Sequence, residues 1–230
     1  MSAGMSNLSP KHEQRMRRFL EAGLYLVTSE TLSRGRTTFE TVTAALRAGV
    51  KLVQLREKNI PVRAFFDLAS RLRPLTRDAD CLLIINDRLD IALAVGADGV
   101  HLGQDDFPVE AARQLAPDLI IGASAHNLEQ ALAAEQAGAS YVNIGPLFPT
   151  QTKAWTGQFL GLETLRAIAP RLSIPFTVMG GIKVQHIPEL IRSGARTVAV
   201  ITAVTAADNP EEAVRDLLAV IQRERRLATR

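Results

Sequence analysis

Four times along this chain of 230 residues a short side chain and a glycine stand just ahead of a β-rich apolar stretch: Ala48-Gly49, Val95-Gly96, Ala137-Gly138 and Ser193-Gly194. Glycine suits the left-handed position just past a helix C-terminus, and a strand that starts within a few residues makes a short helix-to-strand loop. From Gly49 to Gly96, Gly138 and Gly194 the intervals are 47, 42 and 56 residues. One strand–helix unit needs far less, so each interval holds two, and four such pairs make eight.

The intervening strands stand out on their own as apolar, β-rich runs: Leu24 to Thr28, Leu82 to Asp87, Leu119 to Ala125 and Phe176 to Gly180. Between the strands, apolar residues recur at helical spacing, as in Leu128, Ala131 and Leu132, or Ile187, Leu190 and Ile191. Strict alternation of strand and helix means a parallel sheet, and eight units at this length favour closure over an open sheet. The expected fold is therefore α/β, a single (β/α)8 TIM barrel with an extra N-terminal helix from about Lys11 to Ala22. The expected division is an N-terminal extension and helix over residues 1–19, a barrel over 20–222, and a basic tail over 223–230.

Aligning the even-numbered strands on their glycines predicts the barrel interior. Five residues past each glycine stand Gln54, His101, Asn143 and Ala199, which should share one layer. Two residues further on are Arg56, Gly103, Gly145 and Ile201, on the same face and nearer the mouth. One of these carries a cation and two leave space, as the floor of a ligand pocket would.

Active sites of this architecture lie at the C-terminal strand ends. There the second strand runs into Gln54-Leu55-Arg56-Glu57-Lys58, where Arg56 and Lys58 suit a phosphate. The third ends in Asn86-Asp87, and the fourth is followed by Gln104-Asp105-Asp106. Magnesium takes one or two carboxylates plus substrate phosphate oxygens, so Asp87 with Asp105 or Asp106 suggests a cation site. An Asp after a strand is about as often only the cap of the next helix, and position alone does not choose between Asp105 and Asp106.

The fifth strand delivers Ser124, able to bond a ligand, and His126, a candidate general base or a surface residue; Asn127 is the expected cap of the following helix. After the sixth comes Gly145-Pro146-Leu147-Phe148-Pro149-Thr150-Gln151-Thr152-Lys153, a loop with hydroxyls and a lysine suited to close over an anion, and Trp155 follows it. Gly180-Gly181-Ile182 and Ile201-Thr202 end the last two strands, where barrels often hold a phosphate through backbone N–H groups. No Gly-x-Gly-x-x-Gly follows a strand and no Walker pattern occurs, which argues against a dinucleotide or nucleoside triphosphate.

Composition narrows the class. Cys81 is the single cysteine, so no internal disulfide forms and it reads as a small buried hydrophobe in a reducing cytoplasm. No apolar run reaches membrane-span length and the first residues lack the stretch of a secretory signal, so neither export nor membrane anchoring is expected. The net charge is +3, with basic clusters at Lys11 to Arg18 and at Arg223, Arg225 and Arg226. Without interleaved aromatics these read as solvated helix faces or frayed tails, not as a nucleic-acid surface. His12, His101, His126 and His186 lack metal-ligand spacing, which argues against zinc.

Five motifs in order now carry a resemblance: Val53 to Lys58, Ile85-Asn86-Asp87-Arg88, Gly99 to Asp106, Gly145 to Lys153, and Gly180-Gly181-Ile182. Over nearly all of residues 20 to 220 the chain resembles the thiamine-phosphate synthase family. The resemblance implies a transferase that joins a hydroxymethylpyrimidine diphosphate to a thiazole phosphate and releases pyrophosphate. It implies one Mg2+ on Asp87 and Asp106, choosing Asp106 over Asp105. By the same match Gln54, Leu55, Arg56, Glu57, Lys58, Asn86, Ser124 and Lys153 hold the pyrimidine diphosphate, with Arg56, Lys153 and Ser124 in the catalytic roles. Thr150, Gln151, Thr152, Gly181, Ile201 and Thr202 hold the thiazole phosphate, Thr202 standing where the family usually has serine. Small-molecule substrates are the implied partners, with no nucleic acid and no membrane; a homo-oligomer is left open. The rivals are a thiazole tautomerase on the same barrel, which needs neither diphosphate nor metal site, and a non-catalytic phosphate-binding barrel, which leaves the paired Asp and the lysine unexplained.

Overall fold

The computed structural model describes residues 9–150 and 157–228. Eight parallel strands close into a barrel in chain order: β1 (Leu24–Val27), β2 (Leu52–Leu55), β3 (Leu82–Asn86), β4 (Gly99–Leu102), β5 (Ile120–Ala125), β6 (Tyr141–Ile144), β7 (Phe176–Val178) and β8 (Thr197–Val200). Leu24 and Leu26 of β1 lie opposite Val198 and Val200 of β8, which completes the ring. The helices among the described residues are α1 (Pro10–Ala22), α2 (Thr38–Arg47), α3 (Val62–Asp78), α4 (Leu89–Ala94), α5 (Val109–Leu115), α6 (Leu128–Gln136), α7 (Gly161–Ile168), α8 (Ile187–Arg192), α9 (Thr202–Thr205) and α10 (Pro210–Ala228). None is long and apolar enough to cross a membrane.

The four punctuating glycines do the work expected of them. Gly49, Gly96, Gly138 and Gly194 all have positive φ, between 62° and 94°. In each case the next residue's N–H returns to a carbonyl five positions back, as in Val50 to Ala45 (3.1 Å) and Ala97 to Ala92 (2.9 Å), the closure of a Schellman motif. The chain leaves the helix at a fixed angle, and the strand follows within a few residues.

Alternation along each strand sorts side chains into two apolar layers. Leu24 and Leu26, Val53 and Leu55, and Leu83 and Ile85 pack outward against the helices. Tyr25 and Val27, Leu52, and Leu82 and Ile84 point into the barrel, where they meet Ile120, Tyr141 and Ala199. Strand β7 stops at Val178, short of the expected Gly180, because Gly180 turns to φ 102° and leaves the extended region.

The bottom of the barrel is closed by α1. Its Phe19 is fully buried, with its ring centroid 4.5 Å from that of Tyr141 and 6.3 Å from that of Tyr25. The basic clusters are not simply solvated, which corrects the sequence reading. Arg15 is buried and donates to the carbonyls of Asp118 (2.8 Å) and Ala97 (3.3 Å), with Asp98 at 3.5 Å. Arg225 donates to the carbonyls of Glu21 (3.1 Å), Leu20 (2.9 Å) and Arg196. Nor do residues from 223 onward form a separate tail, since α10 runs to Ala228. Both arginines serve carbonyls just before strands begin and where α1 ends, a demand that composition does not reveal.

Candidate active site

A cavity opens over the C-terminal strand ends, and all eight residues assigned to the two interior layers line it: Gln54, His101, Asn143, Ala199, then Arg56, Gly103, Gly145 and Ile201. The lining also includes Lys58, Asn86, Asp87, Asp106, Ser124, Thr150, Gly181 and Thr202. Asp105 is exposed and is not part of it.

Neither acidic candidate is a helix cap. The residue preceding α4 is Arg88 and that preceding α5 is Pro108. Asp87 instead sits in the left-handed region at φ 61°, its N–H held by the His101 carbonyl at 2.8 Å, while Arg88 N–H turns back to Asn86 (2.7 Å). A non-glycine residue held there is uncommon and marks a turn imposed by its surroundings. Here the turn carries the carboxylate into the cavity, where it forms an ion pair with Lys58.

Asp106 is fixed differently. Its Oδ2 accepts the Gly103 N–H at 2.6 Å, and its own N–H returns to the Gly103 carbonyl at 3.3 Å. A β-carbon on residue 103 would come within 2.8 Å of that Oδ2, so glycine is required for the carboxylate to lie there. Burial, followed by the touching Asp87 carboxylate, raises the Asp106 carboxyl above its ordinary value. Two like charges facing one space favour a cation between them. Among the described residues no three His, Cys, Asp or Glu side chains group to hold a metal. The donor set is thus two carboxylates open to a ligand's oxygens, which matches magnesium.

Arg56 completes the charged side of the cavity; burial pulls its guanidinium below its ordinary value, with Asp87 and Glu57 opposing. The side chains of Leu55 and Glu57, both expected at the pyrimidine diphosphate, point elsewhere. Leu55 is fully buried in the outer layer because alternation turns it away from Gln54 and Arg56. Glu57 does not line the cavity: its carboxylate accepts from Thr28 Oγ1 (2.7 Å), Thr38 Oγ1 (2.6 Å) and Glu30 N–H (2.8 Å), tying β2 to the segments around it.

Across the cavity Gly180 and Gly181 meet the loop after β6. A β-carbon on Gly180 would come 2.5 Å from Pro146 Cα, and one on Gly181 would come 2.8 Å from the Phe148 carbonyl oxygen. The close approach inferred for an anion is therefore also made by the chain's own backbone. Leu147 and Phe148 N–H groups bond the carbonyls of Met179 (2.9 Å) and Gly180 (3.1 Å), and the Phe148 ring stacks on His186 at 4.1 Å. Thr150 lies at the cavity edge, whereas Gln151, Thr152, Lys153 and Trp155 lie outside the described residues.

The floor holds a feature that motif reading missed. Gln54 Nε2 donates to Tyr25 Oη (2.6 Å), which lies 2.9 Å from Tyr141 Oη. Tyr141 Oη lies 2.9 Å from His101 Nδ1, and His101 Nε2 lies 3.0 Å from Ser124 Oγ. Burial raises both phenols above their ordinary value, and it pushes the His101 imidazole down to about 4, Asp106 opposing and Arg56 adding to the fall. The sequence signal was present but weak: Tyr25 and Tyr141 occupy inward positions of their strands, and aromatics there usually only fill space. His126 also faces the cavity, with Nδ1 donating to the Gly145 carbonyl at 2.6 Å, and Asn127 caps α6 by accepting from Gln130 N–H at 2.8 Å.

Residues 24–204 match the model of the thiamine monophosphate synthase family (TMP-TENI). Thiamine-phosphate synthase of Archaeoglobus fulgidus is 45% identical over 200 residues, 87% of this chain and 93% of that protein. That of Chloroflexus aurantiacus is 47% identical over 198 residues, covering 86% of this chain and 92% of the relative. A solved structure of thiamine phosphate pyrophosphorylase from Pyrococcus furiosus superposes with TM-score 0.83 at 39% identity, covering 90% of this chain and 98% of that one. The barrel of 3-hexulose-6-phosphate synthase is similar in fold alone, at TM-score 0.66 and 20% identity.

Proposed function

Because the chain belongs to the thiamine monophosphate synthase family and shares its function, thiamine-phosphate synthesis, we propose that it joins an aminopyrimidine diphosphate to a thiazole phosphate by a dissociative substitution. The observation that carries this reading is the carboxylate pair Asp87 and Asp106 facing the same cavity as Arg56 and Lys58, opposite Gly181 and Thr202. A tautomerase acting on the thiazole alone has no use for that charged side.

In this reading the carbon–oxygen bond between the pyrimidine methylene and the diphosphate breaks, and its electron pair leaves with pyrophosphate. The thiazole nitrogen then gives its lone pair to the methylene carbon; a carboxylated thiazole also releases carbon dioxide. Asp87 and Asp106 would hold one Mg2+, which supplies charge neutralisation on the leaving pyrophosphate. Arg56 and Lys58 face the same developing charge, and Lys153 is proposed to join them from the loop after β6. Gln54 and Asn86, which line the cavity, are proposed to meet the pyrimidine diphosphate, and Ser124 to donate to its oxygens. On the far side Thr150, Gly181, Ile201 and Thr202, with Gln151 and Thr152, are proposed to hold the thiazole phosphate.

The test is direct: incubate the protein with both substrates, with and without magnesium, and follow thiamine phosphate and pyrophosphate. Equimolar formation of the two products only with magnesium is expected. Isomerisation of the thiazole with no coupled product would overturn the reading in favour of a tautomerase.

A further inference from the structure

With a neutral imidazole and every phenol proton given to an acceptor, the five side chains on the cavity floor can be hydrogen-bonded in only two self-consistent ways. Tyr25 and Tyr141 each have one proton and lie between two partners, so the direction of every bond follows from the direction of the first. With Gln54 Nε2 donating to Tyr25, as the structure has it, that rule makes Tyr25 donate to Tyr141 and Tyr141 donate to His101 Nδ1. The His101 proton is left on Nε2 and is given to Ser124 Oγ, so the Ser124 proton is free for a ligand. Reversing Gln54 reverses every bond, and Ser124 would then donate to His101 and offer only lone pairs to the cavity.

The two ends face the same cavity. With Nε2 committed to Tyr25, the atom of Gln54 left for a ligand is Oε1, an acceptor. With His101 donating, Ser124 is a donor, which is what an anion requires.

We propose that Gln54, Tyr25, Tyr141, His101 and Ser124 act as one polarised hydrogen-bond chain that couples recognition of an N–H on the substrate ring to recognition of its anionic group. Tyr25 and Tyr141 are positioning residues in this scheme and touch no reacting atom. A diphosphate on Ser124 selects the direction that turns Gln54 Oε1 to the ring, so a ring bearing an amino group is accepted and one bearing an oxygen at that place is rejected. The geometry is built for this and is not an accident of packing. Gly122 of β5 leaves the space that the Tyr141 phenol occupies, and Phe19 closes the floor beneath both tyrosines, all three rings being fully buried. The identity of the ring rests on the proposed pyrimidine substrate; the chain itself does not.

Two measurements separate these levels. Imidazole 15N spectra of the protein with magnesium and inorganic pyrophosphate, with His101 assigned by its loss in His101→Gln, should show the proton on Nε2 and a bare Nδ1. A proton on Nδ1, or on both nitrogens, overturns the chain whatever the enzyme makes. Steady-state kinetics then compare the 4-amino pyrimidine diphosphate with its 4-oxo counterpart in the wild type, Tyr25→Phe and Tyr141→Phe. The amino-over-oxo ratio of kcat/KM should fall at least about tenfold in each variant, the scale of one buried hydrogen bond mispaired. Equal losses for both substrates, leaving the ratio unchanged, mark a merely structural role and overturn the proposal. If Tyr141→Phe fails to fold, Tyr25→Phe decides alone, since it leaves His101 fully bonded. A wild type that couples neither diphosphate refutes the proposed function, while the imidazole spectrum still judges the chain.

Discussion

The ring of Tyr141 on β6 occupies the space into which a side chain on Gly122 of β5 would project; the two residues stand directly opposite in the strand register. The absence of a β-carbon at one position thus admits a phenol at the other. Gly122→Ala should displace the ring and cost about 1–3 kcal/mol, the range for overpacking a filled interior. A lowered urea midpoint with an unchanged m-value would check it, and a midpoint equal to wild type would show that the barrel widens without strain.

The carboxylate pair makes a prediction that separates neighbours in sequence. Asp87→Ala and Asp106→Asn should each lower kcat/KM by about 100-fold or more, the usual scale for losing electrostatic stabilisation of a developing charge. Asp105→Asn should leave it unchanged, because that side chain is exposed and off the cavity. Calorimetric titration with magnesium pyrophosphate should show weakened binding in the first two only. Wild-type rates in Asp87→Ala at saturating magnesium would sink the assignment.

At the opposite end of the barrel, Arg15→Ala removes two bonds to buried carbonyls and one of the two cations beside Asp98, the other being Arg73 at 2.7 Å. A stability loss of about 2–3 kcal/mol is expected, below the full cost of breaking a buried pair because Arg73 remains. Denaturant unfolding measures the loss. The coupling rate under folding conditions should not change.

Two buried imidazoles make stability depend on pH. Burial holds His12 below its ordinary value, helped by Arg113, and holds His101 at about 4. The unfolded chain takes up these protons near pH 6.5 while the folded chain does not, so stability is full above that value and falls as pH drops toward 4. His101 accounts for about 3 kcal/mol of this across the window. Urea midpoints between about pH 7 and pH 5 should fall more steeply in wild type than in His12→Gln. Parallel slopes would show that carboxylates alone set the acid limb.

Periodicity and punctuation were legible in the sequence because they are local. Glycines after helices report φ, alternation reports which face of a strand is inside, and spacing from Gly49, Gly96, Gly138 and Gly194 picked out eight residues that line the cavity. The same alternation turns the Leu55 side chain to the outer layer, away from Gln54 and Arg56.

What only the closed barrel decided is which distant groups meet. Asp106 rather than Asp105 faces Asp87 because a backbone bond to Gly103 holds it there, and Glu57 is drawn from the cavity by two threonines and an amide. Arg15 and Arg225 are braces rather than solvated charge because carbonyls far along the chain lie within their reach. Tyr25 and Tyr141 are 116 residues apart, and nothing near either one names the other as its partner. A side chain's direction is set by its neighbours in sequence, but its hydrogen-bond partner is set by chain closure, which brings together groups whose separation no local pattern records.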